Sequence, residues 1–261
     1  MRKDPIVRFL LPPSETKRDG TSKETLNLES LCASSLTNDR LRAIAALEKF
    51  CSKPTPRVRE AIGTTANQDA ELRRNTELMT AATSPAHWVY DGVLFDAIDI
   101  LHCSAAVQRR IVERTLVQSA LFGVVAFSDA IPAYRCSADS TLPRIGRLSA
   151  FWRERLPDVM PALIGDHFLL DMRSSNYAPM WNAGEIPHAT VSIMQLRDGR
   201  RTAVSHMNKA TKGQLVRGLC SQRRDARSTE EAAELIAQCG YEVALSESKG
   251  HPVIEVLVRG L

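Results

Sequence analysis

The stretch VSHMNKATKGQLVRGL (204–219) places Lys209 and Lys212 where a strand-like run hands over to a helical one. The unpaired N–H groups of a helix start carry partial positive charge, so two ammonium groups sit poorly there unless something negative faces them. Three residues apart, the lysines share a helix face, and that side turns apolar one turn later at Leu215, Val216 and Leu219. Lys212 is therefore expected to start on the inward side, where a solvated lysine has no reason to be. The residues alone leave two readings open. One is an anion site built from a helix N-terminus and two lysines; the other is a first turn in solvent with both side chains snorkelling.

The familiar enzyme fingerprints are missing. There is no G-x-x-x-x-G-K-[ST], no G-x-G-x-x-G after a strand and no G-x-S-x-G elbow. The histidines (87, 102, 167, 188, 206 and 251) never fall at H-x-x-x-H spacing, and no pair among the six cysteines has C-x-x-C spacing. No protein-built metal site and no cofactor are expected, and the scattered thiols read as isolated and buried. The start MRKDPIVRFLLPPSE is basic, but its apolar run stops at two prolines. That is too short for a signal h-region or a membrane span, which reads as a reduced, cytoplasmic protein with no membrane partner.

The elements that must position these residues follow from patterning. IVRFLL (6–11) reads as a buried first strand ended by Pro12 and Pro13, and SETKRDGTSKE as a polar loop. NDRLRAIAALEKF is helical after an Asn/Asp cap, NQDAELRRNTELMTA reads as a second helix, and SAAVQRRIVERTL as a third. LVQSALFGVVAF is a strand-like run broken by Gly123; LSAFWRERL is a short helix and HFLLDM a short strand. TVSIMQL and RTAVSHM form a hairpin about Asp198-Gly199, and KATKGQLVRGL is helical after it. Ser228-Thr229-Glu230-Glu231 opens a helix that stops at Gly240, and YEVALSES and PVIEVLVRG close the chain as a second hairpin. With 261 residues, 44% hydrophobic and 25% charged, and no long linker or repeat, the expectation is one compact α+β domain over 1–261 with a mixed sheet. The net charge of +4 permits a polyanionic partner but lacks the dense basic stripe of a dedicated DNA-binding module.

Five stretches occur in an order and spacing that resemble the YaaA family of bacterial peroxide-stress proteins. They are FLLPPSETKRDG, VYDGVLFDAID (89–99), SALFGVV with PAYR (119–135), LLDMRSSNYAPMW (169–181) and VSHMNKATKGQLVRGL. The resemblance spans nearly the whole chain and is nearest the actinobacterial branch. It implies one α+β domain with a cleft rimmed by basic residues, and an association with DNA and with limiting oxidative damage. Carried over position by position, it points to Thr16, to Tyr90 and Gly92, to Tyr134 and Arg135, to Ser174 and Tyr177, and to Lys209, Lys212 and Arg217. Hydroxyls, guanidinium and ammonium groups of this kind suit an anionic ligand. Ser174 and Ser175 would also serve as helix caps, Tyr90 and Tyr177 as amphipathic core residues, and Arg135 as a surface ion-pair partner. Trp152 and Trp181 read as packing residues.

The chain also departs from the family pattern. Ala126-Phe127-Ser128-Asp129 stands where relatives carry an Arg-Pro-Leu-Asp-like stretch, and Cys136-Ser137-Ala138-Asp139-Ser140 where they have a leucine and a glycine turn. Asp171 stands where many have Asn, and Asn176 where they have Glu. Two functional readings stand ahead of a third, a partner-binding protein with no chemistry. In the first, Lys209, Lys212, Arg135 and Arg217 hold nucleic-acid phosphates. In the second, the protein is an enzyme on a nucleotide or another phosphorylated small molecule. Its anion clamp is then the same lysines with Arg135, and Asp171, Tyr177 or a lysine of lowered pKa is the acid/base or nucleophile. The oligomeric state is not legible in the sequence.

Overall fold

A computed structural model describes residues 6–197, 200–203 and 206–259. The expected turn at Asp198-Gly199 and the pair Val204-Ser205 lie outside the described residues. Strand β1 (Val7–Leu11) is buried almost throughout, and a polar loop follows it to the helical region α1 (Thr37–Cys51), α2 (Pro56–Ile62) and α3 (Asp69–Arg74). The short β2 (Ser84–Pro85), α4 (Ala86–Val89), α5 (Val93–Ile98) and α6 (Ala105–Arg114) lead to the hairpin of β3 (Thr115–Ser119) and β4 (Gly123–Ala126). Next come β5 (Ala130–Ile131), the small hairpin β6 (Thr141–Leu142) and β7 (Gly146–Arg147), α7 (Leu148–Arg153), α8 (Met160–Ile164) and β8 (Phe168–Asp171). The chain closes with β9 (His188–Arg197), β10 (Arg200–Ala203), α9 (His206–Ser221), α10 (Thr229–Gln238), β11 (Glu242–Ser248) and β12 (His251–Arg259).

The main sheet has eight strands in the order β11-β12-β9-β8-β1-β3-β4, with β10 pairing on β9. β1 is parallel to both β3 and β8, β8 to β9, and β9 to β12. The pairs β3–β4, β9–β10 and β11–β12 are antiparallel hairpins. The apolar run broken at Gly123 thus becomes a hairpin, with that glycine at φ +77° opening the return strand. The parallel strands carry side chains covered on both faces, and β1, β3 and β8 accordingly read as near-continuous buried runs. One contiguous core joins this sheet to the helices, the α+β architecture expected.

Two local features differ from the sequence reading. The helix expected through NQDAELRRNTELMTA ends at Arg74. Its next residue, buried Asn75, bonds across to the backbone of Arg135: Nδ2 donates to the carbonyl at 2.7 Å, and Oδ1 accepts from the amide at 2.8 Å. The other difference is at α9, which starts at His206 and so places Lys212 in the second turn rather than at the strand-to-helix junction.

What aims α9 is a close crossing with α5. A Cβ on Gly213 would lie 2.2 Å from the carbonyl oxygen of Leu94 and 2.8 Å from Cβ of Ala97, so only glycine lets the helices touch here. Trp152 and Trp181 are buried, and Nε1 of Trp152 donates to the carbonyl of Ala120 at 2.7 Å, a packing role.

Candidate functional site

Three parallel strands, β1, β3 and β8, end side by side, with Leu10 opposite both Leu116 and Asp171. The carboxyl ends of parallel strands are where an α/β sheet ordinarily presents its chemistry. The loop leaving β1 is strapped to the turn at Tyr90–Gly92. The Asp91 amide donates to Oγ of Ser14 (3.0 Å) and to the carbonyl of Thr16 (3.3 Å), Lys17 bridges Tyr90, and the Arg18 amide donates to Val89. Gly92, at φ +111°, lets the chain reverse into α5 there.

This strapping turns Lys17 inward. Its side chain is only 5% exposed, its ammonium donates to the carbonyls of Ser14 (2.8 Å) and Glu15 (3.4 Å), and it sits 4.1 Å over the ring of Tyr134 and 5.5 Å from that of Tyr90. Beneath it runs a chain of hydroxyls: Tyr90 and Tyr134 share a hydrogen bond of 2.9 Å, Tyr134 and Ser119 one of 2.8 Å, and the Phe122 amide donates to Ser119. Burial lowers the Lys17 pKa to about 8, with Arg135 adding to the drop. Burial pushes the phenols of Tyr90, Tyr134 and Tyr177 well up, and the Cys136 thiol up to about 12 although Lys17 pulls it down.

On the β8 side Asp171 is clasped by Arg173 through Nε and Nη2, at 3.0 and 2.6 Å. Arg173 also donates to Oε1 of Gln118 and to the carbonyls of Tyr177 and Ala178, so it ties β8 to β3 and to the SSNY turn. Burial alone would raise the Asp171 carboxyl, but the guanidinium and its hydrogen bonds outweigh it and hold the pKa below the usual value. Lys212 comes in from α9, 6% exposed, and donates to the carbonyls of Met172 (2.9 Å) and Arg173 (3.3 Å). Burial lowers its pKa to about 8, with Asp171 pulling the other way.

The structure sorts the residues expected from sequence into groups. Tyr90, Tyr134, Tyr177, Asp171 and Lys212 are buried at the ends of these strands or beside them. Thr16 and Ser174 are exposed, each adjacent in sequence to a member of that polar centre. Arg135 is turned to Glu15 and to the carbonyl of Gly63, both at 3.1 Å, and Arg217 to Asp99 at 2.7 Å. Lys209 is exposed on α9, so the two lysines do not share one environment. Lys17, Arg173, Ser119 and Gln118 were not singled out from sequence. Lys17 lay in the stretch FLLPPSETKRDG and in the loop directly after a buried strand, but there it stood among five other charged residues, Glu15, Arg18, Asp19, Lys23 and Glu24.

Among the described residues no group of three or more His, Cys, Asp or Glu could hold a metal ion, and the six cysteines are free thiols. No helix among them is long and apolar enough to cross a membrane.

Comparison with known proteins bears on the same segments. A family model described as "Peroxide stress protein YaaA" matches residues 7–246. The chain belongs to the YaaA family. It is similar to a UPF0246 protein of Streptomyces coelicolor, 39% identical over 243 residues that cover 92% of this chain and 94% of the relative. A UPF0246 protein of Corynebacterium efficiens is 35% identical over 247 residues, 92% and 96% of the two chains. A protein of Campylobacter jejuni is 22% identical over 252 residues, 96% of this chain and all of its own length. In this YaaA chain the segments FLLPPSETK, VYDG, SALFGVV-PAYR and LLDMRSSNY converge at one end of the sheet, which accounts physically for their joint occurrence.

The chemistry available there is unusual for an interior. Two ammonium groups are buried, Lys17 against carbonyls and an aromatic face and Lys212 against carbonyls, while the nearby buried carboxylate, Asp171, is already taken by Arg173. With pKa values of about 8, both lysines are mostly charged at pH 7, and the centre holds more positive than negative charge. An amine that titrates this close to neutrality can also give or take a proton.

Proposed function

We propose that this chain carries out its family's peroxide-stress role by holding a phosphate-bearing small molecule, of nucleotide type, at the polar centre between β1, β3, β8 and α9. The observation that carries the proposal is the pair of buried ammonium groups, Lys17 and Lys212, neither paired with a carboxylate among the described residues. A dianionic phosphate would supply the missing countercharge, and the hydrogen bonds now made to carbonyls could be exchanged for stronger charge-assisted ones. Lys212 would act as anchor. Lys17, with Tyr134 and Ser119 behind it, would act as the proton-transfer group if the bound molecule is transformed.

A single phosphate group suits this centre better than a nucleic-acid duplex. The ammonium groups are almost wholly covered, and Arg135 and Arg217, expected to line a basic cleft, are engaged with Glu15 and Asp99. A duplex backbone needs many solvent-facing cations at once.

Titration calorimetry with AMP, GMP and inorganic phosphate tests this against a short DNA duplex. Binding of a nucleoside monophosphate that is lost in Lys17→Met and in Lys212→Met is the expected result. Duplex binding that outcompetes the mononucleotides and survives both substitutions would overturn it.

A further inference from the structure

Sharing no lining residue with the polar centre, α1, the start of α2 and the turn between β6 and β7 enclose a groove of about 810 Å³. That volume lies within the range of small-molecule sites, about 300–1,000 Å³. Its floor is apolar, with Ala46, Phe50, Val58 and Ile145, and its rim carries Arg42, Lys49, Lys53 and Arg144. No Asp or Glu lines it. Arg42 has Asp39 at 3.1 Å, but Arg155 holds the same oxygen at 2.7 Å, so one carboxylate serves two guanidiniums. Among the described residues, no carboxylate pairs with Lys49, Lys53 or Arg144. Arg144 stands at φ +65°, a left-handed conformation that is costly for a non-glycine residue and is held here by the tight turn between β6 and β7.

We propose that this groove binds a small anionic amphiphile. Its acyl or aryl body would lie over Phe50, Val58 and Ile145, and a carboxylate, sulfonate or phosphate head would sit among Lys49, Lys53 and Arg144. The charge of the rim selects an anion, and the floor selects a molecule with apolar surface to bury. A nucleic-acid backbone meets only the first demand, because it brings nothing to cover the floor. A cationic or neutral amphiphile meets only the second.

The test follows fluorescence of 1-anilinonaphthalene-8-sulfonate, an aryl sulfonate, on titration into the full chain. Laurate and dodecylamine, which carry equal tails and opposite charges, serve as competitors. Saturable binding at one site is expected, displaced by laurate and at least about ten-fold less well by dodecylamine. Lys49→Glu with Lys53→Glu should weaken the dye by about ten-fold or more, Ala46→Trp should fill the groove and abolish binding, and Lys17→Met should leave it unchanged. Arg144→Gly relieves the left-handed strain and is expected to fold, so its several-fold loss of affinity stands as the readout if charge reversal prevents folding. Dye binding untouched by every groove substitution, or dodecylamine competing as well as laurate, would sink the proposal. A short DNA duplex displacing the dye where laurate does not would also overturn it and make the groove a nucleic-acid surface.

Discussion

Lys17 and Lys212 are charges the fold keeps at its own expense. Each has its pKa lowered by burial to about 8, against an ordinary value of 10.5. The unfolded chain therefore binds more protons than the native one between those values, and stability rises with pH across that window. Below about pH 8 the penalty is present in full. Replacing Lys17 with methionine removes it, so the variant should be more stable than the parent at pH 7, by up to about 2–3 kcal/mol. The gap should narrow as pH rises toward 10, as read by urea unfolding at several pH values. A ligand that needs the ammonium form should behave in the opposite sense, binding below pH 8 and being lost as pH rises through it; phosphate titrations at pH 6.5, 7.5 and 9 would show this. At Asp171 the prediction is a loss. Asp171→Asn leaves the Arg173 guanidinium, 3% exposed, without its countercharge, and should cost about 3 kcal/mol in urea unfolding at pH 7. Sequence made Asp171, Tyr177 and Lys212 visible because they stand in ordered motifs. Lys17 stands in one too, FLLPPSETKRDG, but its inward turn was hidden, because burial of a loop lysine depends on a strap from residues 14–18 to residues 89–91 that no local periodicity encodes.

At the level of elements, α5 and α9 form the joint on which the α9 side of the centre depends. Gly213→Ala pushes a methyl into the Leu94 carbonyl, so the helices must separate. Destabilisation of about 2 kcal/mol or more is expected, by shift of the thermal midpoint, together with loss of phosphate binding because Lys212 is the preceding residue. Gly213→Ala with normal stability and normal binding would show that the crossing is not what aims Lys212. Elements that declare themselves locally were legible: β1, α1, α6, α9, the cap of α10 where Oγ of Ser228 accepts from the Glu231 amide, and the β11–β12 hairpin with its turn at Lys249-Gly250. The parallel pairings of β1 with β3 and β8 were not. Parallel partners are joined by long connections rather than by a turn with its own residue code.

Across the whole molecule, a net charge of +4 is modest, and Arg135 and Arg217, which were expected to meet phosphates, are each paired with a carboxylate. Affinity for duplex DNA at 150 mM salt should therefore fall in the weak, sequence-independent range of about 10⁻⁴–10⁻⁶ M, measured by fluorescence anisotropy across a salt series. Nanomolar binding there would show that an exposed cationic surface outweighs the internal pairing. The position of β1 at the heart of the sheet has a consequence for synthesis. The amide of Ile6 awaits His167, 161 residues on, and that of Val7 awaits Asp225, 218 residues on. β1 is thus made well before both of its sheet neighbours, β3 at residues 115–119 and β8 at residues 168–171. Until they follow, it should remain an unpaired, sticky segment, slow to fold and in need of chaperone shelter.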